Sequence, residues 1–149
     1  MDANELIWNL YLSERDFIQH HENQRTTVSN ILGAISAGLI VAIGTGNLSN
    51  EIQILISFIL FVIGLFGYLF CFKLYALITL HATRSYEYLK ILDENYMEID
   101  VDEVKNISKN KNKQKFKKID TLGLNTIWNI FHLFISLTGI GLIIYFIVK

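Results

Sequence analysis

The chain has 149 residues, of which 52% are apolar and 18% charged, and a formal net charge of −1. That length is about one domain. The near-zero charge excludes a strongly basic nucleic-acid binder, and the single cysteine excludes an internal disulfide framework and a cysteine-rich zinc module. The charged fraction falls below the ~25% of soluble domains, and proline is absent. These features leave a helical chain whose apolar residues are too unevenly spread for a water-soluble bundle.

In chain order, residues 3–25 predict a helix. Leu6, Leu10 and Phe17 fall on one stripe, and Ile7, Tyr11 and Ile18 on its neighbour, at helical spacings. Glu14, Asp16 and Glu22 lie elsewhere on the helix. The opening MDANE lacks the basic start of a secretory leader, and the first apolar run begins late, so the first span is expected to remain as an anchor.

Three windows carry no charged residue: Thr26 to Asn50, Ile52 to Phe72, and Thr121 to Val148. Crossing ~30 Å of hydrocarbon takes roughly 20 helical residues, and each window is long enough. The second is the most apolar, with the run ILISFILFVIGLFGYLF; the first holds Gly33, Gly38, Gly44 and Gly46. Gly44, Gly46 and Asn47 predict a stop, followed by a tight turn at Ser49 and Asn50. No glycine or proline interrupts Phe70 to Tyr96, so one helix is predicted from about Glu51 to Tyr96, its apolar extension needing a partner such as the N-terminal helix. Lys73 marks the interface, where a lysine can snorkel. Beyond Tyr96 the chain is charge-patterned: EIDVDE is acidic, and KNISKNKNKQKFKK is basic and rich in asparagine.

The predicted fold is therefore an all-α membrane protein, a single membrane domain over 1–149. It comprises an amphipathic cytoplasmic helix (1–26), a first transmembrane span (27–48), a second (51–73) that continues as a cytoplasmic helix to about 97, a charged linker (98–121) and a third span (122–148). Lysine and arginine set the orientation. The loop between the first two spans has none, whereas His81 to Asp120 holds Arg84, Lys90, Lys105, Lys109, Lys111, Lys113, Lys115, Lys117 and Lys118. That segment and the N-terminus are expected in the cytoplasm, and the C-terminus outside.

The third span carries the most informative pattern. Asn125, Asn129, His132, Ser136 and Gly139 recur at spacings of four, three, four and three, which puts them on one helix face. In hydrocarbon such a face needs hydrogen-bond partners or water. It either packs against other helices or lines a wet path. Small residues form matching stripes: Ser29, Gly33 and Ala37 with a second series Ala34 and Gly38 in the first span, and Ser57, Gly64 and Cys71 with Gly67 beside them in the second. Small residues let helices approach closely. Three spans enclose little, so a homo-oligomer is expected, in which a polar stripe repeated by every subunit can form a pore.

Other candidates read more plainly. Adjacent His20, His21 and Glu22 point in different directions on a helix, so no metal site is assigned; helical metal pairs use positions i and i+4. His81 reads as a solvated interfacial residue and Cys71 as an inert buried thiol. Trp8 lies in the soluble arm, and Trp128 is an interfacial anchor or a bundle-packing residue. In the linker, Lys109, Lys111, Lys113, Lys115, Lys117 and Lys118 read as a solvated, mobile loop, as a contact for anionic lipid, or as a docking site for a polyanionic ligand. Phe116 is the linker's one aromatic residue, which is poor support for a stacking platform. No catalytic set is visible: His132 and Ser136, one turn apart, are the nearest approach to one, and no cofactor motif is present.

Residues 11–40, YLSERDFIQHHENQRTTVSNILGAISAGLI, with the junction Arg25, Thr26 and Thr27 followed by Asn30 and Gly33, resemble the entry to the first span of small bacterial SLATT-type membrane proteins. The long second helix fits the same likeness, which extends over about Leu6 to Tyr96; the third span departs from the simplest, two-span pattern. Relatives serve as predicted pore-forming effectors of anti-phage systems, often beside a nucleotidyltransferase, with Hailong-type effectors the nearest analogue. The resemblance implies an inner-membrane oligomeric channel held shut by a nucleotide-derived ligand and opened on infection. The rival expectation from the residues alone is a non-conducting scaffold or regulatory subunit that recruits a soluble partner through its cytoplasmic helices.

Overall fold

The computed structural model describes residues 2–45, 47–96, 100–115 and 123–149. Its regular structure consists of four helices: α1 (Ala3–Gly44), α2 (Asn50–Tyr96), α3 (Val101–Lys115) and α4 (Leu124–Val148). No strand occurs among the described residues. Helices α1, α2 and α4 are each long and apolar enough to cross a membrane.

The two long helices are continuous because nothing within them breaks the backbone ladder. Helix α1 ends at Gly44, where the Thr45 amide still bonds to the Val41 carbonyl at 3.1 Å and the Thr45 hydroxyl donates to the Ala42 carbonyl at 2.8 Å. Gly46, part of the expected stop, lies outside the described residues. Helix α2 starts at Asn50, and the carbonyl of Ser49 accepts the Gln53 amide at 3.0 Å.

The chain divides into two compact units. One consists of Gln24–Leu74 and Leu124–Lys149 and contains all three charge-free windows, apart from Thr121 to Gly123. Within it α2 and α4 run antiparallel: the Asn50 side-chain amide donates to the Phe146 carbonyl at 3.0 Å, and Gly64 faces Ser136. The buried positions of α2 in this unit are Ser57, Leu60, Gly64, Gly67, Cys71 and Leu74, alternating steps of three and four, with half-buried Gln53 one turn before them. The covered positions of α4 include Asn125, Asn129, His132, Ser136, Gly139, Ile143 and Phe146, with the same alternation, and Ile135 is buried beside them. This seven-residue repeat is the spacing at which side chains of one helix enter the grooves of another at a shallow angle. Large apolar side chains such as Ile31, Phe58, Phe66, Phe72, Phe134 and Ile147 point outward, as expected where the surrounding medium is lipid.

The other unit consists of Met1–Asn23 and Tyr75–Gly123. The N-terminal part of α1 packs on the C-terminal part of α2, the partnership expected for that extension. Asn95 donates to the Asn4 side-chain oxygen at 3.1 Å, and Glu14 Oε2 lies 2.5 Å from His81 Nδ1. The half-buried positions of α1 include Ile7, Tyr11 and Ile18, the second of the two stripes; Leu6, Leu10 and Phe17 are exposed, as are Trp8 and Leu12. Apolar residues thus occupy both the covered and the open sides of this segment.

The stretch expected as a linker contains a helix. Asp100 caps it: its Oδ1 accepts the Glu103 amide at 2.9 Å, and its carbonyl accepts the Val104 amide at 3.0 Å. Asp102 and Glu103 lie in the first turn of α3 and Lys113 and Lys115 in the last, each sign matching the helix dipole. The charge pattern that reads as solvation also favours a helix in this order. Asp93 Oδ2 ties α3 to α2 by accepting the Val101 amide at 3.1 Å.

Candidate functional site: a buried polar seam

The five-residue stripe of α4 lies on the covered side of the helix. His132, Ser136 and Gly139 are buried, and Asn125 and Asn129 half-buried. At its centre is His132, with 0% exposure. Its Nε2 is joined to Ser29 Oγ of α1 by a hydrogen bond of 2.9 Å, and Ser29 Oγ lies 3.5 Å from Cys71 Sγ of α2. One polar cluster therefore links the three spanning helices. Its histidine has room only because Gly67 of α2 lacks a side chain: a Cβ there would fall 2.6 Å from His132 Cε1. An edge-on contact with Phe131 covers another side of the ring.

One turn further along, the seam is closed by backbone. A Cβ on Gly64 would lie 2.7 Å from Ser136 Cα, and one on Gly139 would lie 2.8 Å from Phe61 Cα. Helices approach this closely only where both are small at the crossing. Ser57, with 0% exposure, donates to the Gln53 carbonyl of its own helix at 2.7 Å and so brings no unmet polar atom into the seam.

The small-residue stripes are sorted by the structure. Ser29, Ser57, Gly64 and Cys71 are buried, and Gly33 meets the Phe131 ring, 3.1 Å from where its Cβ would stand. Ala37 is exposed, and its place is taken by Ser36. Ala34 and Gly38 are exposed too, and a Cβ on Gly38 would meet nothing within 4 Å. The reason is phase. From Ser29 the covered positions run on in steps of three and four, which reaches Ser36; two steps of four overshoot to Ala37.

Three buried polar residues, Arg25, Ser36 and Ser85, were missing from the expectation. Arg25, read as part of a junction, is 1% exposed, one turn before Ser29. Ser36 is 2% exposed, and its hydroxyl has no hydrogen-bond partner among the described residues. The same lack applies to Asn125 Oδ1, Trp128 Nε1, Asn129 Oδ1 and His132 Nδ1. A sequence signal existed for Arg25: it is the last charge before the first window.

In the other unit, His81 is paired and half-buried where a solvated residue was expected. Besides Glu14, it stacks on Phe17 at 5.0 Å and lies 5.4 Å from the His21 ring. Arg84 stands 4.0 Å from Glu14. His20 and His21 contact each other edge-on at 5.6 Å. Among the described residues, no group of three His, Cys, Asp or Glu side chains is placed to hold a metal.

The basic residues Lys109, Lys111, Lys113 and Lys115 lie exposed on α3, while Phe116, Lys117 and Lys118 lie outside the described residues. Helix α3 is held by its first turn. Tyr86 of α2 donates to Asp102, Lys90 lies 3.6 Å from the same carboxylate, and Lys105 lies 3.5 Å over the Tyr86 ring. The bond to Asp102 pushes the Tyr86 hydroxyl up to about 12, and the same bond holds the Asp102 carboxyl below its ordinary value.

No protein-family model, curated protein or solved structure matches this chain.

Proposed function

We propose that this protein is the subunit of a homo-oligomeric membrane channel. The observation that carries this reading is the polar face of α4, directed into a bundle of spanning-length helices, with atoms at Asn125, Asn129 and His132 that meet no hydrogen-bond partner among the described residues. A helix meant only to pack in lipid has no need of such a face. Lysine and arginine counts support an orientation with the N-terminus and α3 in the cytoplasm and the C-terminus outside. The likeness of residues 11–40 to SLATT-type proteins supports a role as an anti-phage effector of the bacterial inner membrane, one that depolarises it when open. Under that role the exposed lysines of α3 are the contact for a nucleotide-derived, polyanionic signal. The reading requires no enzymatic step.

The test is ion flux across liposomes holding only the purified protein, beside an Asn129→Leu/His132→Leu double variant. Flux that the double variant loses supports a path along α4. Flux in both keeps the channel and moves its lining to another helix. If both stay silent after co-purified anions are removed and polyanions are added, the channel reading fails.

A second reading is favoured by the backbone contacts of Gly64 with Ser136 and of Gly139 with Phe61. Under it the seam is structural, and the protein is a non-conducting scaffold that recruits a soluble partner. Expression would then leave membrane potential unchanged, while substitutions on the exposed faces of α1 or α3 release the partner.

A further inference from the structure

Four of the buried polar atoms that have no hydrogen-bond partner among the described residues lie on one short stretch: Asn125 Oδ1, Trp128 Nε1, Asn129 Oδ1 and His132 Nδ1. Positions i, i+3, i+4 and i+7 share a helix face. His132 is wholly buried, and its other ring nitrogen is already engaged by Ser29. The four atoms are chemically mixed: two amide oxygens that accept, an indole N–H that donates, and a ring nitrogen that can do either. A cation is served by acceptors and an anion by donors. Water does both and typically makes about three bonds when buried.

The next turns of the seam differ. Ser136 and Gly139 sit against the backbone of α2 at distances that exclude even a methyl group, and the atoms left without partners on α4 end at His132.

We propose that the α1–α2–α4 bundle encloses ordered water at Asn125, Trp128, Asn129 and His132, and that the seam is dry from Ser136 onward. The water bridges the indole N–H to the amide oxygens and to His132 Nδ1. Its consequence for conduction rests on the channel reading: the close-packed turns at Gly64, Ser136 and Gly139 are then the barrier in the closed state, and the hydrated turns are the approach to it. The hydration itself does not depend on that reading.

Two tryptophans make the test direct. Trp8 is 46% exposed and serves as the solvent-contacting reference. Protein labelled with ¹⁵N at the indole nitrogens, in lipid nanodiscs, gives two indole resonances, assigned with a Trp8→Phe variant. Water-to-indole magnetisation transfer is measured on each. The expected result is a water cross-peak for Trp128 as well as Trp8. The Trp128 cross-peak is lost in Asn129→Leu and in His132→Leu, with helicity retained, and survives in Ser136→Ala. A Trp128 indole without a water cross-peak overturns the proposal. So does a cross-peak indifferent to both leucine variants, which marks interfacial solvent. Hydration without liposome flux would leave the proposal standing and remove the channel reading. Flux with a dry Trp128 would do the reverse.

Discussion

Adding one methyl group at Gly64 tests the packing of the seam. In Gly64→Ala the new Cβ would lie 2.7 Å from Ser136 Cα and 2.8 Å from Ser136 Cβ. Carbon atoms rest at ~3.5 Å or more, so α2 and α4 must part locally by about 1 Å. The obstacle is backbone, so no rotamer change relieves it. Overpacking of this kind costs about 1–3 kcal/mol. Alanine returns ~1 kcal/mol because it is the better helix former. The net expectation is a loss of up to about 2 kcal/mol. Gly38→Ala is the matched control: it makes the same change on a spanning helix, with nothing within 4 Å of the new Cβ. It keeps the propensity gain, up to ~1 kcal/mol, without the clash. The assay is unfolding by sodium dodecyl sulfate in mixed micelles, followed by helicity. The two variants should move the midpoint in opposite directions. Equal shifts, or a Gly64→Ala protein at least as stable as Gly38→Ala, would refute the close approach of α2 and α4.

Three further outcomes follow from named contacts. Ser29→Ala removes the 2.9 Å partner of His132 Nε2 and should cost ~1–3 kcal/mol in the same titration, since a buried nitrogen is left unmet. Glu14→Gln weakens the contact with half-buried His81 and should speed amide exchange in residues 3–21 of α1 while leaving α4 unaffected. The α3 contact should depend on pH at both ends. Tyr86 is raised from 10.0 to about 12, so its share is complete below 10.0 and lost as pH rises through about 12; Asp102 is lowered from 3.8, so its share is complete above 3.8 and lost as pH falls through the lowered value. Protection of the Val104 to Lys109 amides, taken as the ratio of intrinsic to observed exchange rate at each pH, should therefore be highest between these limits, and Tyr86→Phe should remove the alkaline loss; an unchanged alkaline profile in that variant would sever α3 from Tyr86.

The long elements are legible in the sequence because each rests on a cumulative signal. Some twenty apolar residues in a row cannot be a solvated loop, and the absence of glycine and proline from Phe70 to Tyr96 keeps α2 whole. The α4 stripe is legible for the same reason: five residues repeat at four and three, and the covered side of the helix follows that phase. Single positions are harder. Ala37 continues a small-residue series by steps of four, yet the covered positions of α1 alternate three and four and pass through Ser36. A series of small residues gives spacing without phase, and phase comes from the partner helix. Helix α3 was hidden because its residues favour solvation in composition and a helix only in order, through the cap at Asp100 and the sign of charge at each end. His81 was hidden because its partner Glu14 is 67 positions away.

The seam also explains why glycine stands where it does on α2. Gly67 and Gly64 are two of its covered positions, three residues apart, and they admit different things. At Gly67 the missing side chain makes space for an imidazole, whose polar atoms then need partners within the bundle. At Gly64 it makes space for a backbone, whose polar atoms are already satisfied along α4. The same residue type thus creates a polar turn and an apolar one side by side. A path for ions along this face would have to separate α2 from α4 at Gly64 and Gly139, while the turn at His132 needs only to exchange the groups it already binds. If the protein conducts along this face, the energetic cost of opening would be concentrated in the two glycine crossings. Gly64→Ala, which parts the helices there without adding charge, should favour the open form in any assembly that conducts along α4. Flux from Gly64→Ala liposomes at or below that of the unsubstituted protein would move the barrier elsewhere.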